Sequence, residues 1–307
     1  MPAKFMSPQC IASARTLLRS ITLFVSAATL SAVALAQAPA APAAVPPMNG
    51  IAHIAIRVKD IAASVAFYHK LGFDQAFANM AKDGTTVTQA FIKINDRQYI
   101  ELYPVTARDS QVGFLHLCFE GADLNAIHDY YVSEGLTPIA VRTAGAGNLL
   151  FTMKGPMQVD SPQNIEYTQY MPGSKHTLEF GKLNGPDRVG DKMTVVVLAM
   201  QNPTEATEFY VDKLGFSASK TNPALLDLPG NSGEAVEIIS SSILGPRSSI
   251  VLSSPNLDRS AAQLTRQQVE FKRASASATG PGERAMRVEM LSVTDPDGNI
   301  IRIQAAK

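Results

Sequence analysis

Apolar strands and amphipathic helices alternate along most of this chain, and the pattern occurs twice. Residues 50–73 predict an apolar strand, a polar turn and a helix that ends in Leu-Gly-Phe, and residues 192–216 predict the same order. Similarity at this spacing indicates two homologous domains, which we place at 48–173 and 192–307. The stretch 174–191 between them is rich in Gly, Pro and charged residues and is predicted to be a linker.

Each domain also repeats within itself. The elements predicted behind the first helix are strands at 86–94, 98–104 and 114–120, a helix at 122–134, and strands near 148–154 and 164–170. We interpret this order as a βαβββ unit that is used four times in all. A unit of this size cannot bury its own sheet face, so units must pair. The predicted fold class is therefore α+β, with four tandem βαβββ units that form two domains.

The N-terminus has the pattern of an export signal. Residues 1–20 carry basic side chains and no acid, and an almost unbroken apolar run follows from Ile21 to Ala36. Small residues at Ala-x-Ala spacing close the run, which is typical of a cleavable signal peptide, here residues 1–38. The run is shorter than the roughly 20 residues of a membrane span, and an uncleaved anchor is the alternative. We expect a periplasmic or secreted protein, with residues 39–47 as a Pro/Ala linker.

Charge and cysteine content narrow the classes of partner. Lys+Arg and Asp+Glu both total 27, so no overall basic field attracts nucleic acid. One of the two cysteines, Cys10, lies in the export signal, which leaves no pair for a disulfide. We expect a small-molecule substrate, no nucleic acid and no membrane contact after cleavage. Because units can pair within one chain or between chains, the protein is predicted to be a monomer or a homodimer.

Motifs in the first domain are similar to those of a known superfamily. A His-bearing strand is followed by Asp-Ile-x-x-Ser-x-x-Phe-Tyr-x-x-Leu-Gly, a later Glu-Leu-Tyr and a second His-bearing strand. This order resembles the vicinal oxygen chelate superfamily, which includes glyoxalase I, methylmalonyl-CoA epimerase, extradiol dioxygenases, and fosfomycin and bleomycin resistance proteins. The resemblance covers nearly all of the chain after the signal and implies two glyoxalase-like domains. It says little about the substrate, because the fold hosts many reactions.

The resemblance implies one divalent metal ion in the first domain, held by a residue from the first and the last strand of each unit. The matching residues are His53, Glu101, His116 and Glu166. Alternation along each predicted strand places these residues opposite the more aliphatic face, so all four can point to the same side of the sheet. Two imidazoles and two carboxylates suit a six-coordinate ion with open positions for substrate. The sequence does not distinguish Ni, Zn, Mn, Fe and Co.

The resemblance also implies a chemistry. With four ligands the site looks like that of glyoxalase I, in which the metal stabilises an enediolate. Glu166 would then be the catalytic base that takes a proton next to a carbonyl. Arg57 matches an arginine that holds the substrate in glyoxalase I. The other residues predicted to bind substrate are Tyr99, Tyr103 and Tyr170.

The predicted function is thus that of a metal-dependent lyase, isomerase or epimerase on a small molecule with vicinal oxygens. A second basic pair for glutathione is missing, which argues against a true lactoylglutathione lyase. One alternative is an extradiol-type ring-cleaving dioxygenase, whose site resembles a set of two His and one Glu. Another is a non-catalytic protein that binds a small ligand, as bleomycin resistance proteins do. His176, in the linker, is not included in the predicted site.

The second domain keeps the pattern and loses most of the ligands. The residues aligned with His53, Glu101, His116 and Glu166 are, in that order, Val195, Glu237, Ser249 and Arg302. A cation at the last position would repel a metal ion and could pair with Glu237 instead. We therefore expect a degenerate metal site in this domain, which would serve as a structural partner or a binding surface.

Overall fold

The computed structural model describes residues 45–220, 222–241, 248–278 and 286–306. The predicted signal peptide, 1–38, lies outside the described residues, as does most of the predicted linker at 39–47. Within the described part of the chain, no helix is both long and apolar enough to cross a membrane. The described strands form two eight-stranded sheets, one in each half of the chain.

The first sheet is built from two βαβββ units. Its elements are β1 (Met48–Val58), α1 (Ile61–Lys70), β2 (Gln75–Met80), β3 (Val87–Lys93), β4 (Tyr99–Pro104), β5 (Gly113–Gly121), α2 (Leu124–Ser133), β6 (Arg142–Thr143), β7 (Leu149–Met157) and β8 (Pro162–Gln169). The strand order is β2-β3-β4-β1-β5-β8-β7-β6. Within the units, β1 pairs with β4 and β5 pairs with β8 in parallel, and the units join through the antiparallel pair β1 and β5.

The second sheet repeats this topology. After α3 (Lys175–Leu178), its elements are β9 (Lys192–Met200), α4 (Pro203–Glu208) with a π-helical turn at Phe209–Lys213, β10 (Ser217–Ala218), β11 (Leu225–Asp227), β12 (Ala235–Ser240), β13 (Ser249–Ser254), α5 (Leu257–Arg266), β14 (Phe271–Ala278), β15 (Met286–Thr294) and β16 (Ile300–Ala305). The order is β10-β11-β12-β9-β13-β16-β15-β14. The predicted α+β fold of four tandem units is confirmed.

Polar side chains and glycine set the limits of the helices. Asp60 caps α1, since its side chain accepts a hydrogen bond from the backbone N–H of Ala63. The helix is followed by Gly72, whose φ of +85° lies in the left-handed region. A Cβ atom at this position would come within 2.4 Å of the carbonyl oxygen of Asp187. Glycine is therefore required both by the turn and by the close approach of the linker.

The aliphatic faces of both sheets share one core. Ile54 and Ile56 of β1 belong to a buried cluster that extends into the second domain. Phe119 and Phe216 meet across the domains with ring centroids 5.4 Å apart. The hydroxyl of Tyr68 donates to a carboxylate oxygen of Asp295 at 3.3 Å. Because this side of the first sheet is covered, the residues that alternate with the core residues lie on the opposite face.

A buried lysine fastens the predicted linker to the first domain. Lys93, at the end of β3, is fully buried, and its Nζ donates to Asp96 Oδ1 at 2.7 Å and to the carbonyl oxygen of Lys182 at 2.6 Å. It also donates to the carbonyl oxygen of Glu179. On α3, Lys175 Nζ donates to Asn79 Oδ1 at 2.7 Å. The segment 174–191 is thus held to the first domain at Lys175, Glu179 and Lys182.

We expect Lys93→Met to lower the free energy of unfolding by about 2–3 kcal/mol, because the buried carbonyls lose a charged donor. Urea unfolding followed by circular dichroism would measure this. Lys182→Met is the matched control, since Lys182 is 59% exposed and its ion pair with Glu179 is worth less than about 1 kcal/mol. If both variants lost the same free energy of unfolding, the hydrogen bonds of Lys93 would not be what holds the linker to the first domain.

Candidate metal centre

The strand register brings the predicted ligands to one face of four adjacent strands. These residues are His53 on β1, Glu101 on β4, His116 on β5 and Glu166 on β8. Ala55 lies beside both Glu101 and His116, and Cys118 lies beside both His53 and Glu166. Neighbours in register point to the same face, and Ala55 shares the face of His53. The four side chains therefore lie on one face in two neighbouring rows across the sheet. Glu101 and His116 form one row, and His53 and Glu166 form the other.

Three of these side chains converge on one point. His53 Nε2 lies 3.1 Å from His116 Nε2 and 3.4 Å from Glu166 Oε1. His116 Nε2 lies 4.0 Å from Glu166 Oε2. Each residue offers one ligand atom within 4.8 Å of the others. Two ring nitrogens that face each other beside a carboxylate suit a shared cation, and this donor set fits a divalent transition metal.

Glu101 lies next to this cluster and is held by other partners. Its Oε2 accepts hydrogen bonds from Gln89 Nε2 at 2.6 Å and from the Tyr103 hydroxyl at 3.2 Å. Its Oε1 lies 3.4 Å from Nδ1 of His53, a buried nitrogen with no hydrogen bond to the described residues. A carboxylate beside the second nitrogen of a ligating histidine orients the ring. The fourth predicted ligand is therefore adjacent to the three-residue cluster, not part of it.

Burial and charge separate the pKa values of these groups in the metal-free protein. Burial raises the pKa of Glu101 to about 7. Burial also opposes ionisation of Glu166, but its hydrogen bond with His53 and the charge of His116 lower its pKa overall. Burial lowers the pKa of His116 to about 4, whereas in His53 the nearby carboxylates outweigh burial and raise the pKa. The two carboxylates thus differ in acid–base character.

A cavity of about 190 Å³ lies over the cluster. Tyr103 and Tyr170, two of the four residues predicted to bind substrate, line it. Tyr99 is fully buried behind the cavity, and its ring packs against His176 with centroids 4.7 Å apart. Arg57 is not among the lining residues; its guanidinium lies 3.4 Å from the carbonyl oxygen of Gln111. Substrate binding by these four residues stays a prediction.

The cavity also has lining residues that the sequence analysis did not include. The polar ones include Asn79, Gln89, Arg142, Asn148 and His176. Gln89 lies on β3 and is held by Asn79 at 2.8 Å. His176 reaches the cavity because the linker is fastened to the first domain. No periodic pattern marks a lining residue in a two-residue strand or in the linker, so the sequence carries no signal for Arg142 or His176.

The second domain has the same register and an apolar site. Val195, Glu237, Ser249 and Arg302 take the places of the four predicted ligands, as the alignment predicts. The ion pair that Arg302 could form with Glu237 is not observed, since Arg302 pairs with no residue that the structure describes. Two strands, β9 and β13, separate these residues by about 14 Å at normal strand spacing. The space between is occupied by Val195, Val197 and Val251, which form a separate apolar cluster.

Similar structures come from two kinds of enzyme. The Mn(II)-bound glyoxalase from Novosphingobium aromaticivorans has a TM-score of 0.62 and 16% identity, over 84% of this chain and 82% of that chain. The 2,3-dioxygenase LapB from Pseudomonas sp. KL28 has a TM-score of 0.60 and 12% identity, over 86% and 94%. An extradiol ring-cleaving dioxygenase from B. fuscum has a TM-score of 0.58 and 15% identity, over 88% and 75%. At these identities the likeness shows the fold alone.

A family model matches part of the chain in sequence. No curated protein is significantly similar to the chain in sequence. Residues 50–164, which contain three of the predicted ligands and most of β1 to β8, match the family model described as Glyoxalase/Bleomycin resistance protein/Dioxygenase superfamily. Over residues 50–164, the chain is similar to the glyoxalase/bleomycin resistance protein/dioxygenase superfamily.

Proposed function

We propose that this protein is a metal-dependent lyase, isomerase or epimerase that moves a proton within a small molecule with two adjacent oxygen atoms. The observation that carries this proposal is the cluster of His53, His116 and Glu166 beside a small cavity. A divalent ion held there would act as a Lewis acid that polarises a carbonyl and acidifies the neighbouring C–H bond. The Mn(II) of the similar glyoxalase is one such ion.

Glu101 is the base in this proposal. Gln89 and Tyr103 both donate to its Oε2, which fixes the carboxylate, and Oε1 lies 3.4 Å from Nδ1 of His53. Glu101 also lines the cavity, so a substrate there lies within its reach. Glu166 contacts both histidines and is assigned as a ligand. The base role that the family resemblance gives to Glu166 is the competing assignment.

Ring cleavage of a catechol is the second candidate. It is favoured by the three-residue set of two histidines and one carboxylate, because such a set leaves open positions for a bidentate substrate and oxygen. Two of the similar structures described above are dioxygenases. Because Glu101 is held apart from the cluster, a bound ion would have three protein ligands.

Metal analysis and two assays separate these candidates. We expect one divalent ion per chain after purification or reconstitution with Mn, Fe, Ni or Zn. Solvent-deuterium exchange into α-hydroxycarbonyl compounds, followed by NMR without oxygen, tests proton transfer. Oxygen uptake with a panel of catechols tests ring cleavage, and a positive result there with no deuterium exchange would favour the second candidate. A protein that binds no metal and shows neither activity would contradict both.

A further inference from the structure

His176 lines the cavity and carries an unpaired polar atom. The residue is 3% exposed, and its Nε2 makes no hydrogen bond with any described residue. Its ring stacks on Tyr170 with centroids 4.9 Å apart and meets the rings of Phe77 and Phe91 edge-on. The Tyr170 hydroxyl is held in turn by the carbonyl oxygen of Arg97 at 2.9 Å. The imidazole is therefore fixed in one orientation.

The hydrogen bonds of Asn148 define the tautomer of this ring. Asn148 Oδ1 accepts from the backbone N–H of Met171 at 3.2 Å, so its Nδ2 faces His176 Nδ1 at 2.8 Å. The amide donates, which makes Nδ1 the acceptor and places the ring proton on Nε2. Burial lowers the pKa of His176 to about 3, so the ring is neutral. A buried donor without a partner is costly, and a bound acceptor oxygen would satisfy it.

Arg142 brings an unpaired cation to the same cavity. It lies on the short edge strand β6 and lines the cavity, and it forms no ion pair or hydrogen bond with the residues that the structure describes. The cavity wall also holds the carboxylates of Glu101 and Glu166. A divalent ion would balance these two negative charges. The positive charge of Arg142 would then give the cavity a net charge of +1. This balance favours a monoanion.

On the basis of the function proposed above, we infer that the substrate is a small α-hydroxycarbonyl compound that carries a carboxylate. Arg142 pairs with the carboxylate, and the Nε2 proton of His176 is donated to a substrate oxygen. The cavity volume of about 190 Å³ is below the 300–1,000 Å³ of pockets for drug-sized ligands, which matches a compound of a few carbon atoms. A glutathione conjugate would exceed it.

A matched pair of probes tests this inference on the metal-loaded protein. Hydroxypyruvate and hydroxyacetone share an α-hydroxycarbonyl group and differ by the carboxylate. By isothermal titration calorimetry, we expect hydroxypyruvate to bind at least about 10-fold more tightly, as a charge-assisted hydrogen bond provides. Arg142→Met should remove this preference, and Arg142→Lys should retain part of it. His176→Phe should weaken both probes about 10-fold, with partial recovery in His176→Gln, which keeps a donor.

Metal content is measured in every variant so that two kinds of failure stay distinct. Equal binding of both probes by a protein that holds its metal would overturn the inference and leave the proposed function intact. An unchanged preference in Arg142→Met, or unchanged affinities in His176→Phe, would also overturn it. A wild-type protein that binds no metal would end the proposed function and the inference together.

Discussion

Replacing His116 with alanine is expected to lower the affinity for a divalent ion by about 100-fold or more and to abolish activity. His116 is one of three residues whose ligand atoms converge, so its loss leaves two protein ligands in this cluster. A structural four-ligand zinc site binds with roughly 10–16 kcal/mol, so one ligand of such a site is worth about 3 kcal/mol. Metal competition with a chromophoric chelator would measure the loss.

Ser249→Ala is the matched control for this experiment. Ser249 occupies the register position of His116 in the second domain, is also buried, and has no hydrogen-bond partner for its hydroxyl in the described chain. We expect its metal content and activity to equal those of the wild type. If His116→Ala still bound one metal ion with undiminished affinity, the ion would be bound elsewhere in the protein.

Replacing Glu101 with glutamine is expected to lower kcat by about 10²–10⁴-fold, the usual contribution of a general base, and to weaken metal binding by no more than about 10–100-fold, because the carboxylate also orients His53. Glutamine keeps the shape of the side chain, and its amide oxygen can still accept from Gln89 and Tyr103. What it loses is the ability to take a proton. Metal content, kcat and KM, measured on the same preparation, would separate catalysis from binding.

Two further variants make this result decisive. Glu166→Gln should lower metal affinity, since Glu166 lies within reach of both histidines. Glu237→Gln, at the equivalent of Glu101 in the second domain, should change nothing. The reverse pattern, with metal lost in Glu101→Gln and only kcat lost in Glu166→Gln, would make Glu166 the base and Glu101 a ligand, as the family resemblance implies.

Local periodicity was enough to predict the sheet and the face on which the ligands lie. His53 and Glu166 could be placed because each alternates with aliphatic residues that must be buried, and the internal repeat fixed which strands correspond. The same alignment located Val195 and Arg302 in the second domain correctly. These inferences need only the two-residue period of a strand.

The side-chain partners inside the cavity could not be predicted in this way. Glu101 is held away from the three-residue cluster by a hydrogen bond from Gln89, which lies on the neighbouring strand β3. The position of His176 depends on contacts more than 80 residues away in sequence, among them the bond between Lys93 and Lys182. Such contacts are set by tertiary packing, and no local pattern encodes them. The sequence could not decide whether Arg302 reaches Glu237 for a related reason, because alignment gives no distance across a sheet.

The segment between the domains both joins the two similar halves of the chain and contributes to the cavity of the first. His176 lies on the stretch that leads from β8 to β9, so the junction of two duplicated copies forms part of the cavity wall. Gene fusion would then have supplied a surface that neither copy had alone. The second copy, without its ligands, acts as the anchor for the far end of that segment. Splitting the gene at this junction, or permuting the chain there, would open the cavity.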